Sequence, residues 1–66
     1  MQLTINGDVR EIDDHLTLAA YLNLLSLRPQ MVVVERNGEI VPRGDYAHTL
    51  LQENDTLELV QMMAGG

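Results

Sequence analysis

"NDTLELVQM", Asn54 to Met62, is the segment on which the architecture turns. Asn54-Asp55 is a turn signal, and beyond it Leu57 and Leu59 fall on one face of an alternating strand while Glu58, Val60 and Met62 fall on the other. A strand that arrives this late in the chain either extends a sheet edge or inserts between strands already laid down. The segments before it decide between these outcomes.

Met1, Leu3 and Ile5 alternate with Gln2, Thr4 and Asn6, and Asn6-Gly7 supplies the two positive-φ residues of a tight turn. Met1 to Ile12 therefore reads as a hairpin. Its second arm alternates poorly, with Val9 and Ile12 on opposite faces, as expected of an edge strand. "MVVVER", Met31 to Arg36, is β-branched and apolar on both faces, and Asn37-Gly38 turns it back into "EIV". Pro42 confines that returning arm to an edge, because proline cannot donate to a ladder. Between the hairpins, Leu18, Leu22 and Leu25 recur at helical spacing. Thr17 is placed to cap this helix and Asp13-Asp14 to favour its dipole, and Arg28-Pro29 ends it, so the spacing predicts one short helix from Leu18 to Leu25. Gly44 to Gln52, carrying Tyr46, Leu50 and Leu51, reads as a connection with a single helical turn. With two edge arms already assigned, the last strand fits centrally, beside the first strand and parallel to it, with the helix across one face. The expected fold is α+β, a ubiquitin-like β-grasp with a mixed sheet, in one domain of residues 1–66 whose residues 61–66 form an extended tail.

A chain of 66 residues is near the size at which a single core only just outweighs the entropy of folding, so a multi-residue active site inside a cavity is not expected. Phe, Trp and Cys are absent and Tyr occurs twice, which points to a core of Leu, Val, Ile and Met. Without Cys there is no disulfide, no thiol nucleophile and no cysteine-based metal site. Four Arg, no Lys and ten acidic residues give a net charge of −6. That balance disfavours nucleic acid and anionic membranes and suits basic partner proteins. No signal peptide or membrane-length apolar run is evident, so the expected location is the cytoplasm.

Catalytic constellations are not found. His15 and His48 lie far apart in loop sequence with no further ligand at metal spacing, so no metal site is expected. Asp13-Asp14 lacks the hydrophobic setting of an acid/base pair, and Ser26 has no flanking elbow motif. The remaining chemistry lies in "MMAGG", Met62 to Gly66. Gly65 and Gly66 have no Cβ, so the end of the chain is little wider than bare backbone and can pass a constriction in another protein. A carboxylate there is inert until activated, for example as an acyl-adenylate, after which sulfide or a persulfide can attack it to leave a thiocarboxylate. Having no Cys and no Lys, the chain offers no thiol or ε-amine to attack its own activated end. Compositional drift toward Arg accounts for the missing Lys as simply, and the sequence leaves the two open. Val60, Met62 and Met63 are the second feature: with Leu57 and Leu59 toward the helix, Val60 and Met62 leave an apolar strip on the open face leading into this segment and suited to a partner surface, unless a sheet edge or loop covers them.

"IVPR" at Ile40 to Arg43, Tyr46 three residues on, "NDTLELVQ" and the ending "AGG" together resemble the ThiS family of sulfur carrier proteins in thiamin biosynthesis, over the whole chain. The terminal Gly-Gly alone is shared by all ubiquitin-like carriers; "IVPR" at this spacing is the more specific feature. The resemblance implies a carrier and not an enzyme. It implies that Gly66 is adenylated by an E1-like, ThiF-like adenylyltransferase, which uses the ATP while the carrier holds no permanent cofactor. Gly66 then becomes a thiocarboxylate by way of a sulfur donor and passes sulfur to thiazole synthase, ThiG. Gly65 and Ala64 give the tail its access, and Val60, Met62 and Met63 meet the partners. The small subunit of molybdopterin synthase shares fold and chemistry but is usually longer between helix and last strand. A ubiquitin-like modifier carries Arg where Ala64 stands, and an inert β-grasp binding domain is the remaining alternative.

Overall fold

The computed structural model describes residues 1–62. Its elements are β1 (Gln2–Ile5), β2 (Asp8–Glu11), α1 (Leu18–Leu24), a 3-10 turn (Pro29–Met31), β3 (Val32–Arg36), β4 (Glu39–Ile40), a 3-10 helix (Arg43–His48) and β5 (Thr56–Gln61). The sheet order is β2-β1-β5-β3-β4. β5 lies between the hairpins, parallel to β1 and antiparallel to β3, the arrangement expected of a β-grasp.

Both hairpins close as their sequences dictate. Ile5 pairs with Asp8 and Arg36 with Glu39, leaving two-residue loops. In these loops Asn6 and Gly7 take φ of 50° and 87°, and Asn37 and Gly38 take 51° and 88°, the primed turn that matches strand twist. The asparagines also do something that turn chemistry does not require. The Asn6 amide accepts from the Leu59 N–H at 2.7 Å and donates to the Leu59 carbonyl at 3.3 Å, so it acts as one more ladder residue where β1 has already turned away. The Asn37 side chain accepts from the Thr56 N–H at 2.9 Å. Each turn thus holds β5 from its own side.

Asp55, at the entry to β5, is 5% exposed. One carboxylate oxygen accepts from Arg36 Nε and from the Gln52 N–H, each at 2.9 Å, and the other accepts from the Asn37 amide at 2.9 Å. Burial by itself disfavours the charged form, but the bonds from Asn37, Gln52 and Arg36 outweigh it and hold the carboxyl below its ordinary value. The connection before β5, the second hairpin turn and the end of β3 are joined through this one group.

The helix differs from expectation at its C-terminus. Its start is as read, with Thr17 Oγ1 accepting from the Ala20 N–H at 3.1 Å. It ends at Leu24, before Leu25 and well before Pro29. The Ser26 N–H bonds the Asn23 carbonyl and the Leu27 N–H bonds the Leu22 carbonyl, with Ser26 at φ 60°. This is a Schellman ending with serine where glycine is usual. It turns Leu25 outward, 40% exposed, and the buried helix face is Leu18, Tyr21 and Leu22. Asp14, upstream of a first turn that holds no acidic residue, has a closer partner than the helix end. It pairs at 3.1 Å with the Met1 ammonium, which also donates to the Ile12 carbonyl at 2.6 Å and pins β1 to the end of β2.

The core lies between α1 and one face of the sheet. Leu3, Leu18, Leu22, Val32, Val34 and Leu57 are the most deeply enclosed, each worth about 1.5–3 kcal/mol of burial. Contrary to the expectation of an aliphatic and methionine core, both tyrosines are in it and no methionine among the described residues is fully buried. Tyr46 is tolerated because its hydroxyl donates to the Val32 carbonyl at 2.7 Å. Of the two leucines in the connection, Leu51 is buried and Leu50 exposed. The helical part of that connection begins at Arg43, one residue earlier than expected.

Two stability outcomes follow from these contacts. Asp55→Asn sets an amide N–H against at least one of the three donors, and the loss is on the order of 2–3 kcal/mol at neutral pH. Because the folded carboxyl binds its proton less readily than the unfolded one, whose ordinary value is 3.8, the stability it confers is complete above that pH. It is lost as the pH falls through the lower folded value. Denaturant melts of both proteins across the acid range should show a gap that is constant near neutrality and closes in acid; a gap independent of pH would refute the assignment. Ser26→Gly should raise stability by about 0.5–1 kcal/mol, since it relieves a left-handed residue at some cost in unfolded-chain entropy. An unchanged or lowered melting temperature would contradict it.

Candidate functional site

The strip expected to lead toward the C-terminus is carried by β5. Its alternation buries Leu57 completely and Leu59 in part, on the helix side. Val60 and Met62 point the other way, 60% and 40% exposed. The Met62 N–H donates to the Met31 carbonyl at 2.7 Å, so Gln61 and Met62, the first residues of the expected tail, are still held against the chain entering β3. Met63, Ala64, Gly65 and Gly66 lie outside the described residues.

The strip is wider than Val60 and Met62. Register places Val33 opposite Val60, and Glu35 opposite both Glu58 and Ile40. Ile40 is 62% exposed, so Val33, Val60 and Met62 on two strands, and Ile40 beyond Glu35 on a third, present apolar side chains on the open face of the sheet. The sequence pattern did not join Ile40 to this area, because adjacency across strands depends on register and not on spacing within a strand. Within "IVPR" only Ile40 is presented in this way. Val41 packs against the core, Pro42 is the N-cap of the 3-10 helix, and Arg43 Nε donates to the Pro29 carbonyl at 3.1 Å.

The helix side offers a groove of about 280 Å³ lined by Tyr21, Leu25, Leu27 and Leu59, with Asp8 and Arg10 also in its lining. Those two charges lie 4.0 Å apart, both largely exposed, and no Ser, Thr, Cys, His or Lys lines the groove with them. His15 and His48 are exposed and separate, in a loop and at the end of the 3-10 helix. Ser26 is occupied as the helix-ending residue. Among the described residues no cluster of His, Cys, Asp or Glu could hold a metal ion, and no helix is long and apolar enough to cross a membrane. The concentration of exposed apolar surface on one face, beside the strand that continues toward Gly66, is the feature most consistent with work done on another protein.

Comparison with known proteins bears on the same segment. The chain is 35% identical over 65 residues to the sulfur carrier protein ThiS of Bacillus subtilis, covering 97% of this chain and 98% of that one. It is 41% identical to a thiazole synthase of Paramagnetospirillum magneticum and 38% identical to one of Magnetococcus marinus, in each case over all of this chain but only 20% of the relative. The chain thus spans about a fifth of the length of these two relatives. The crystal structure of the thiamine biosynthesis protein ThiS from Geobacter metallireducens superimposes with a TM-score of 0.84 at 32% identity, with full coverage of both chains. The ThiS family model matches residues 3–66, and the chain belongs to the ThiS family.

Proposed function

We propose that this chain is a sulfur carrier for thiazole assembly in thiamin biosynthesis, bearing the sulfur as a thiocarboxylate on Gly66. The observation that carries the proposal is the path of β5. The central strand of the sheet presents Val60 and Met62 to solvent and is followed in sequence by the segment that ends in Gly65-Gly66. The likeness to a sulfur carrier over nearly the whole of both chains supports the same reading.

The chemistry is assigned to partners. A carboxylate oxygen of Gly66 attacks the α-phosphorus of ATP in an E1-like adenylyltransferase, and pyrophosphate leaves. Sulfide from a donor then attacks the acyl carbon, AMP leaves, and the C–O bond to phosphate is replaced by a C–S bond. Four residues beyond Met62 extend at most about 13–14 Å. That length lets the body dock outside while Gly66 enters an active site, and Gly65 keeps the last stretch free of a side chain. Val60, Met62 and Met63 form the docking strip, with Ala64 giving a narrow entry to the glycines. Thiazole synthase is the acceptor; two relatives named for that enzyme contain a region like this chain within one longer polypeptide. The carrier keeps no cofactor and works in the cytoplasm.

Intact-protein mass spectrometry tests this directly. Incubation with a ThiF-type adenylyltransferase, ATP and sulfide should add about 16 Da, oxygen exchanged for sulfur, and a chain lacking Gly66 should show no gain. An unchanged mass with an enzyme that thiolates the Bacillus subtilis relative in the same tube would refute the carrier reading.

A further inference from the structure

The open face of the sheet carries an electrostatic feature that the apolar strip does not explain. Register sets Glu58 directly opposite Glu35 in the middle of that face. Directly opposed strand residues hold their Cβ atoms about 4.5–5.5 Å apart, and like charges placed there destabilise the sheet. Among the described residues none of the protein's own arginines pairs with either carboxylate. Arg36 is held by Asp55 at 2.9 Å and Arg43 by the Pro29 carbonyl. Arg10 lines the helix-side groove, Arg28 stands exposed before the 3-10 turn and makes no ion pair among the described residues, and the chain has no lysine. Among the described residues neither carboxylate has an ion-pair partner.

The pair has apolar borders. Val33 and Val60 stand opposite each other farther along the same two strands, and Ile40 lies on the other side of Glu35. A docking protein that covers these side chains removes water from the carboxylates, which is costly unless a cation is supplied with it. Arginine fits this requirement better than lysine: its planar guanidinium has five donors, can bridge two carboxylates and is more weakly hydrated. A second copy of this chain is disfavoured as occupant, because face-to-face pairing sets four carboxylates together between bodies of charge −6 each.

Building on the carrier reading above, we propose that Glu35 and Glu58 form the receptor for an arginine side chain of thiazole synthase, seated between them while apolar side chains of that enzyme cover Val33, Val60 and Ile40. The opposed carboxylates are then a recognition element that the free protein tolerates at some loss of stability.

The test is calorimetric titration of the source organism's thiazole synthase, and separately of its ThiF-type adenylyltransferase, with wild-type chain, Glu35→Gln/Glu58→Gln, Glu58→Lys and Val60→Asp, alongside thermal melts of each free protein. The expected result is a Kd raised about tenfold or more by the double Gln variant, corresponding to the loss of one charge-assisted contact. The dependence of binding on salt should become shallower, and the melting temperature should equal or exceed that of wild type. Glu58→Lys, which relieves the repulsion within the chain, should be stable as well and bind more weakly still. If the Gln and Lys variants bind within twofold of wild type while Val60→Asp weakens binding, the face docks but the arginine receptor is refuted. If Val60→Asp also binds as wild type, docking through this face fails, and the proposal fails with it. If only binding to the adenylyltransferase responds to the Gln variants, the assignment to thiazole synthase is overturned.

Discussion

The structure depends on β5 being gripped from both sides at once. This strand is last of the five in sequence and central in the sheet, so its neighbours are two hairpins that have no other hydrogen-bonded connection to each other within the sheet. The turn asparagines solve the problem locally. Each has the positive φ its turn needs, and each places its amide on the backbone of β5, Asn6 at Leu59 and Asn37 at Thr56. Asp55 adds the third hold, joining the segment before β5 to Arg36 and Asn37 of the second hairpin. A short parallel pairing between β1 and β5 is thereby braced by side chains at the point where backbone bonds run out.

With that strand fixed, the two faces of the sheet divide the work. The helix face holds the buried residues, including both tyrosines, and its rim carries the Asp8–Arg10 pair. The open face is left to solvent, with apolar side chains around two opposed carboxylates. A small domain cannot spare apolar surface from its core without reason, since few kilocalories separate folded from unfolded chains of this length. Val60 and Ile40 stay out of the core because strand alternation and register set them on the face opposite the helix.

Much of this was legible in the sequence where the signal is local. Asn-Gly turns, period-2 alternation and the Thr17 cap each depend on a few adjacent residues, and from them the hairpins, the helix start and the exposed side of Val60 and Met62 could be read. The helix end could not, because serine at the left-handed position of Ser26 carries none of the warning that glycine would. Tyr46 entered the core through a hydroxyl bond to Val32, a partner set by tertiary packing. The same limit applies to the candidate site. Glu35, Glu58 and Ile40 each look like ordinary edge or surface residues, and only the register of β5 against β3 and of β3 against β4 makes them neighbours.

The position of β5 has a consequence for biosynthesis. As the chain leaves the ribosome, both hairpins and the helix emerge before the strand that unites them, so no continuous sheet exists until residues 56–62 are free of the exit tunnel. A product truncated before Thr56 has two hairpins with nothing between them and lacks Leu57 and Leu59, which β5 brings to the core. The chain segment leading to Gly66 therefore becomes available on a folded body only in molecules whose translation has passed through the central strand. Architecture alone links readiness of that end to completion of the fold.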